Sequence, residues 1–285
     1  MDRLTRRRVG ALLSVIAGTL ALGSTALAAP LNGTFALLDG KPAATAQLNV
    51  QAQNGKHELD LVQTKDGATH PIVHYTVDMT QLMHIVIVRD DFATFIHEHP
   101  EFNAHTGHFT LDVALSPNHR YYVYADSEPA GIGQQVFRFT LEPGSAAPSA
   151  PAPSTTPSPT KAAAGPYTVA LSATTVQANH PVTLHATVTR NGQPATDLHP
   201  YLGAAAHVVF VNTSSLDYVH VHPTLPGQSM DMSGTGAMDM SGMKPEAGPK
   251  MLLHVPPLPA GTYKVWVQFR GGSSLDVAPF TIDAR

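Results

Sequence analysis

The 285-residue chain has no cysteine. Disulfide staples are therefore excluded, and stability must come from apolar cores; soft-metal chemistry must use methionine sulfur rather than thiolate. Long apolar runs are also missing: past the first 28 residues none reaches the roughly 20 residues of a membrane span. Basic charge is scarce. Residues 29–285 carry 13 Lys and Arg against 20 Asp and Glu, a balance with no electrostatic footprint for nucleic acid or for an anionic membrane surface. No Ser/His/Asp or paired-carboxylate arrangement stands out that would suggest hydrolytic chemistry.

Residues 1–28 combine Arg3, Arg6, Arg7 and Arg8, an apolar stretch from Val9 to about Leu22, and the small-residue end Ala26-Leu27-Ala28. This reads as a cleaved signal peptide, so the expected location is periplasmic or secreted. Thr5-Arg6-Arg7-Arg8-Val9 also suits the twin-arginine route.

What the chain does have is one histidine arrangement written twice. His84 is followed by His97 and His99, and His207 by His220 and His222, with spacings of 13 and 2 positions in both copies. Each set opens a Val/Ile-rich run and closes in His-x-His-Pro. The copies lie at an offset of 123, while Asp112–Asp126 overlies His254–Gln268 at an offset of 142, pairing Tyr121 with Tyr263 and Val123 with Val265. The second copy therefore carries 19 extra residues after His222.

Residues 144–166, rich in Pro, Ala and Ser, read as a disordered linker between a module at 31–143 and another at 167–285. Both modules show short alternating apolar runs between Gly, Pro, Asn and Asp punctuation, with no sustained helical period. The expected fold is all-β: two immunoglobulin-like sandwiches in tandem, without the usual inter-sheet disulfide.

On a strand, residues two apart share a face, so His97 and His99 project together, as do His220 and His222. A hairpin centred on Asp91-Phe92 sets Val86 opposite His97 and His84 opposite His99; its counterpart sets Val209 opposite His220 and His207 opposite His222. Three imidazoles then converge in each module, provided the loop keeps an even count, because a one-residue slip would turn His84 or His207 to the other face. Neutral imidazole suits copper, zinc or nickel. The insertion at 224–249 holds Met230, Met232, Met238, Met240 and Met243, five of the chain's nine methionines, in a Gly/Ser/Asp setting that offers them no core. Thioethers favour Cu(I), so the trios and this loop together point to copper, as Cu(I) or Cu(II), with zinc or nickel as the alternative.

Competing readings exist for each feature. The trios could be structural, satisfying strand ends before Pro100 and Pro223, and the Met-rich loop could be a disordered insert grown by repetition. His57, His70, His105, His119, His180 and His185 read as ordinary hydrogen-bonded histidines; His74, His108, His199 and His254 could add ligands, though no repeat supports them. Glu98 alternates away from the trio, and Tyr263 and Trp266 read as packing residues.

The segments HIVIVRDDFATFIHEHP and AHVVFVNTSSLDYVHVHP, with GTYKVWVQFRGG, resemble exported bacterial sandwich modules of the YtkA-like and copper-resistance-associated type. MDMSGTGAMDMSGM is similar to the methionine-rich stretches of periplasmic copper-resistance proteins. The resemblance implies an immunoglobulin-like fold, a role in extracytoplasmic metal handling carried by the six trio histidines, and a metal-handling protein as partner. A non-catalytic copper-binding protein is the first expectation, and a metal-free adhesion module that binds another protein is the second. A copper redox enzyme is the third, since His-Val-His on a sandwich also resembles copper/zinc superoxide dismutase, whose cysteine pair and zinc loop are missing here.

Overall fold

The computed structural model describes residues 29–53, 55–144, 156–228 and 246–285. The signal segment and all five methionines of the 230–243 cluster lie outside them. Among the described residues there are only strands, turns and loops. The chain folds as two β-sandwich modules in tandem, each built from a five-stranded and a six-stranded sheet.

Strand formation follows from alternation where one face meets solvent. Along Lys56–Lys65, Leu59, Leu61 and Gln63 are buried while their neighbours are more accessible, the period-2 pattern of a half-covered sheet. Leu48, Leu61, Met83, Ile85, Ile87, Phe109, Val123 and Phe139 fill the first core. Val169, Leu184, Phe210, Leu253, Val265, Val267 and Phe280 fill the second. At about 25 cal/mol per Å² of apolar surface removed from water, such cores stand in for the absent disulfides.

Each module carries a tyrosine corner, the immunoglobulin-type device in which a phenol bonds to backbone a few residues upstream. The Tyr263 hydroxyl donates to the Pro259 carbonyl at 2.9 Å. Its counterpart Tyr121 accepts from the Ser116 backbone N–H at 3.2 Å. Tyr263 is thus a packing and corner residue.

Two features differ from the sequence reading, a boundary and the relation of the modules. Lys161–Ala164 is a strand paired with Tyr167–Leu171, and the Ser158 N–H donates to the Thr281 carbonyl at 3.0 Å. The second module therefore starts before residue 161, and the Pro/Ala/Ser linker does not run to 166. Ala-rich sequence has weak β preference, and Gly165-Pro166 looked like linker. Here Gly165 takes φ 55° and turns a tight hairpin that seats Ala164 in the core. The insertion after His222 is tied at its base, where Thr224 and Leu252 exchange backbone hydrogen bonds of 3.0 and 2.8 Å.

The second difference is larger, because the modules are not independent. Met83–Arg89 and His207–Asn212 do not alternate: His84 to Val88 and His207 to Asn212 are buried without a break. Ile85 and Ile87 face their own core, while Val86 and Val88 face a third cluster shared with Val209 and Val211. In that cluster Trp266 stacks on Phe95, with ring centroids 5.1 Å apart. Tyr124 stacks on Tyr218 at 5.0 Å. These pairs are the same contact in reverse, since the two offsets carry Phe95 onto Tyr218 and Tyr124 onto Trp266. Backbone bonds from Tyr218 N–H to the Ala36 carbonyl (2.8 Å) and from Leu38 N–H to the Tyr218 carbonyl (3.1 Å) form a single parallel bridge between the modules. The modules thus meet sheet face to sheet face in pseudo-twofold fashion.

Candidate metal centre

The histidines sit on that joined face. Met83–Arg89 pairs with Phe95–Glu98 in the register that sets Val86 against His97. His207–Asn212 pairs with Tyr218–Val221 so that Val209 opposes His220. Both loops hold an even six residues, 89–94 and 212–217, so neither trio is split across the sheet. His84 Nδ1 lies 3.1 Å from His97 Nε2 and 3.1 Å from His99 Nε2. In the second module His207 Nδ1 lies 3.2 Å from His220 Nε2 and 3.1 Å from His222 Nε2. Each half thus uses the same three nitrogens, one Nδ1 and two Nε2.

Because the sheets face one another, the two trios adjoin. The His97 and His207 rings are 5.1 Å apart, and His84 and His220 5.2 Å. Ligand atoms of His84, His97 and His99 all lie within 4.8 Å of one another, and the same holds across the interface for His97, His207 and His220. The sequence suggested one separate trio per module; the structure joins them into a single cluster of six imidazoles. Module-to-module docking is encoded on faces that no local spacing describes, which is why the spacing alone could not show it.

Three of the nitrogens turned away from the cluster have acceptors, and a fourth faces a carboxyl group. His84 Nε2 is 3.2 Å from the Asp78 carbonyl, and His207 Nε2 is 3.1 Å from the Tyr201 carbonyl. A carbonyl only accepts, so both nitrogens carry the proton and both Nδ1 atoms present bare lone pairs. His97 Nδ1 donates across the interface to Gln268 Oε1 at 2.7 Å. His220 Nδ1 stands 3.4 Å from Asp126 Oδ2, also across the interface. Asp78 and Tyr201 occupy matching tight turns, Asp78–Gln81 and Tyr201–Ala204, each closed by a pair of backbone bonds and each with two positive-φ residues at its centre: Met79 (43°) and Thr80 (73°), Leu202 (47°) and Gly203 (83°). The offset of 123 carries one turn onto the other.

Burial keeps these imidazoles neutral. It lowers the pKa of His84, His97 and His99 to about 4. It lowers His207, His220 and His222 well below the ordinary histidine value, with neighbouring imidazoles adding to the effect. Burial also raises the carboxyl of Asp126, while Asp78 is pushed up to about 7 by burial and by the charges of Asp126 and Glu128. The Tyr218 phenol stands beside Asp126, and burial with that carboxylate raises it well above its usual value.

The other candidates lie elsewhere. His108 pairs with Asp60 at 2.6 Å, and His254 contacts the hydroxyls of Thr183 and Thr224, each at 3.2 Å. Neither they nor His74 nor His199 belong to a histidine group of ligand spacing among the described residues. Glu98 is exposed, and Trp266 is an interface residue. Sequence reasoning missed Asp126, Gln268, Asp78 and Tyr201. Asp126 and Gln268 did carry a signal, since they end the 142-offset alignment as polar residues after apolar runs; in the structure they lie cross-strand from His84 and His207.

Two sandwiches locked face to face over a shared imidazole cluster define a tandem-module protein with a candidate metal centre. The chain belongs to the family described as a domain of unknown function, DUF8832, which matches residues 38–143 and 161–285. No curated protein matches the sequence. Among solved structures it is similar to the three N-terminal domains of the bacteriophage RB49 Highly Immunogenic Outer Capsid protein (Hoc), at 14% identity and a TM-score of 0.20. That match covers 83% of this chain and 59% of the phage chain.

Proposed function

We propose that this protein is an exported, non-catalytic copper-binding protein that sequesters the metal or passes it to another metal-handling protein. One observation carries the reading. His84 Nδ1 and His97 Nε2 face each other at 3.1 Å, yet the proton of each ring is committed to an acceptor on its far side, the Asp78 carbonyl and Gln268 Oε1. Two bare lone pairs at that distance repel unless a cation lies between them. An ion bonded to nitrogen at about 2.0–2.1 Å in tetrahedral geometry holds its ligands about 3.3 Å apart. The observed separation is close to that value. Acceptors on the outer nitrogens are also the usual way a protein fixes the tautomer and aim of metal-ligating histidines.

The preference for copper rests on chemistry. Neutral imidazoles in a dry cluster suit copper and zinc alike, while Met230, Met232, Met238, Met240 and Met243 add soft thioether donors that favour Cu(I). In this proposal the methionine segment captures or hands on Cu(I), and the cluster stores it. The basic-apolar-small pattern of residues 1–28 supports export to the periplasm or medium.

Elemental analysis of the protein isolated from its own compartment should find copper. Titration with Cu(I), Cu(II) and Zn(II) should give tighter binding of copper, weakened when His220 and His222 are both replaced by alanine. Unchanged affinity in that double variant would remove the cluster from the proposal. Zinc as the native metal would replace copper.

A further inference from the structure

We infer that the two trios hold two monovalent soft cations of the Cu(I) class side by side in one inter-module centre, and that each trio is aimed by a residue of the opposite module. This rests on the metal-binding reading above and adds the number of ions, their charge and a dependence of each half on the other.

The count follows from how the six nitrogens divide. Each central Nδ1, of His84 and of His207, lies 3.1–3.2 Å from two Nε2 atoms of its own module. His84 thus gathers one three-nitrogen set and His207 the other, and the sets touch through His97, which also lies within ligand spacing of His207 and His220. The charge follows from the surroundings. Two carboxylates come near the trio nitrogens, Asp126 at 3.4 Å from His220 and Asp78 at 3.9 Å from His84. Two divalent ions repel four times as strongly as two monovalent ions at the same separation, and the four positive charges of a divalent pair would face at most two negative charges from these two groups, which matches only the monovalent pair.

The dependence follows from the strand register. Gln268 is the cross-strand neighbour of His207, but its Oε1 accepts from His97 of the first module. Asp126 is the cross-strand neighbour of His84, but its Oδ2 is beside His220 of the second. Each orienting group therefore belongs to one sandwich and acts on the other. An ion can be held in full geometry only while the modules are docked, so metal loading and docking become one linked equilibrium.

The test is an anaerobic Cu(I) titration of the full chain against a chromophoric competitor. To keep the methionine segment out of the count, every protein compared carries Met230, Met232, Met238, Met240 and Met243 replaced by leucine; with all six histidines it should bind two ions, and with His84→Ala or His207→Ala added, one. In the His207→Ala protein, where the first trio remains, Gln268→Leu should weaken the remaining ion about ten- to a hundredfold, and Gln268→Glu, which keeps an acceptor, should restore it. In the His84→Ala protein the loss caused by Gln268→Leu should be clearly smaller, although Gln268 adjoins the remaining trio in its own sheet. Should Gln268→Leu unfold the chain, as read by circular dichroism, Gln268→Asn withdraws the acceptor with less disturbance and carries the same comparison. One ion per chain with all six histidines, or an equal loss in both backgrounds, overturns this inference and leaves copper binding standing. No Cu(I) bound at all overturns both.

Discussion

The two halves of the molecule are near copies, and where they differ they differ as sets. Around His220 stand Asp126 and the phenol of Tyr218; around His97 stand Gln268 and Phe95. The carboxylate half thus has a hydroxyl-bearing ring as its stacking partner, and the amide half has a plain one. The same substitution runs through the interface, with Tyr124 on Tyr218 in one half and Trp266 on Phe95 in the other. Backbone features match closely: register, six-residue loops and the paired tight turns. The comparison teaches that the repeat fixes where the imidazoles go, while the residues reaching across from the opposite module set the charge around them.

The largest effect available is on the interface itself. Trp266 is the chain's one tryptophan, 3% exposed and sandwiched with Phe95 and Phe92. Trp266→Ala should cost about 3–5 kcal/mol, the range for a buried large aromatic, in denaturant melts. It should also separate the modules, read as an increase in radius of gyration by small-angle scattering. Tyr124→Phe, in the other half, removes only a hydroxyl that donates to the Leu216 carbonyl at 3.1 Å. It should cost about 0.5–1.5 kcal/mol. Equal costs would mean that the Tyr124 hydroxyl holds the interface as firmly as the whole Trp266 ring.

The sandwiches, the tandem repeat and both hairpin registers were legible in the sequence because they rest on local rules. Alternation gives strands, and an even loop after His84 with a two-residue step from His97 to His99 gives one shared face. The docking of the modules was not, because it depends on which outer faces meet. One clue was present, the unbroken apolar runs Ile85–Val88 and Val208–Val211, which on a strand mean that both faces are covered. The start of the second module was hidden for the opposite reason: Lys161–Ala164 has little strand preference of its own and is held by pairing.

Acid should act on the cluster next. All six histidines have folded-state pKa values below the unfolded value of about 6.5, with three at about 4. The unfolded chain therefore binds more protons across that interval, and stability falls as pH drops from about 6.5 to 4. Asp78 and Asp126 work the other way, since their raised values favour the folded state as pH falls. Six imidazoles outweigh two carboxyls, so the net expectation for metal-stripped protein is a melting temperature that declines through this window. Asp126→Asn removes part of the opposing contribution and should steepen the decline. A flat profile between pH 6.5 and 4 would contradict the burial of the cluster.

The smallest predicted effect tests the turns behind the two central histidines. The first half places Thr80 at φ 73°, where the second half has Gly203 at 83°. A β-branched residue is strained in that region and glycine is not. Thr80→Gly should therefore stabilise the chain, by less than about 1 kcal/mol because glycine also gains entropy in the unfolded state. The reverse change, Gly203→Thr, should destabilise it by more than Thr80→Gly gains: a Cβ at 203 would come 3.3 Å from the Thr80 methyl, where the two turns touch. Paired thermal melts of the two variants decide the matter. If Thr80→Gly instead lowers stability, the Thr80 side chain supports the turn carrying the Asp78 carbonyl to His84, and the strain there is the cost of holding that ring in place.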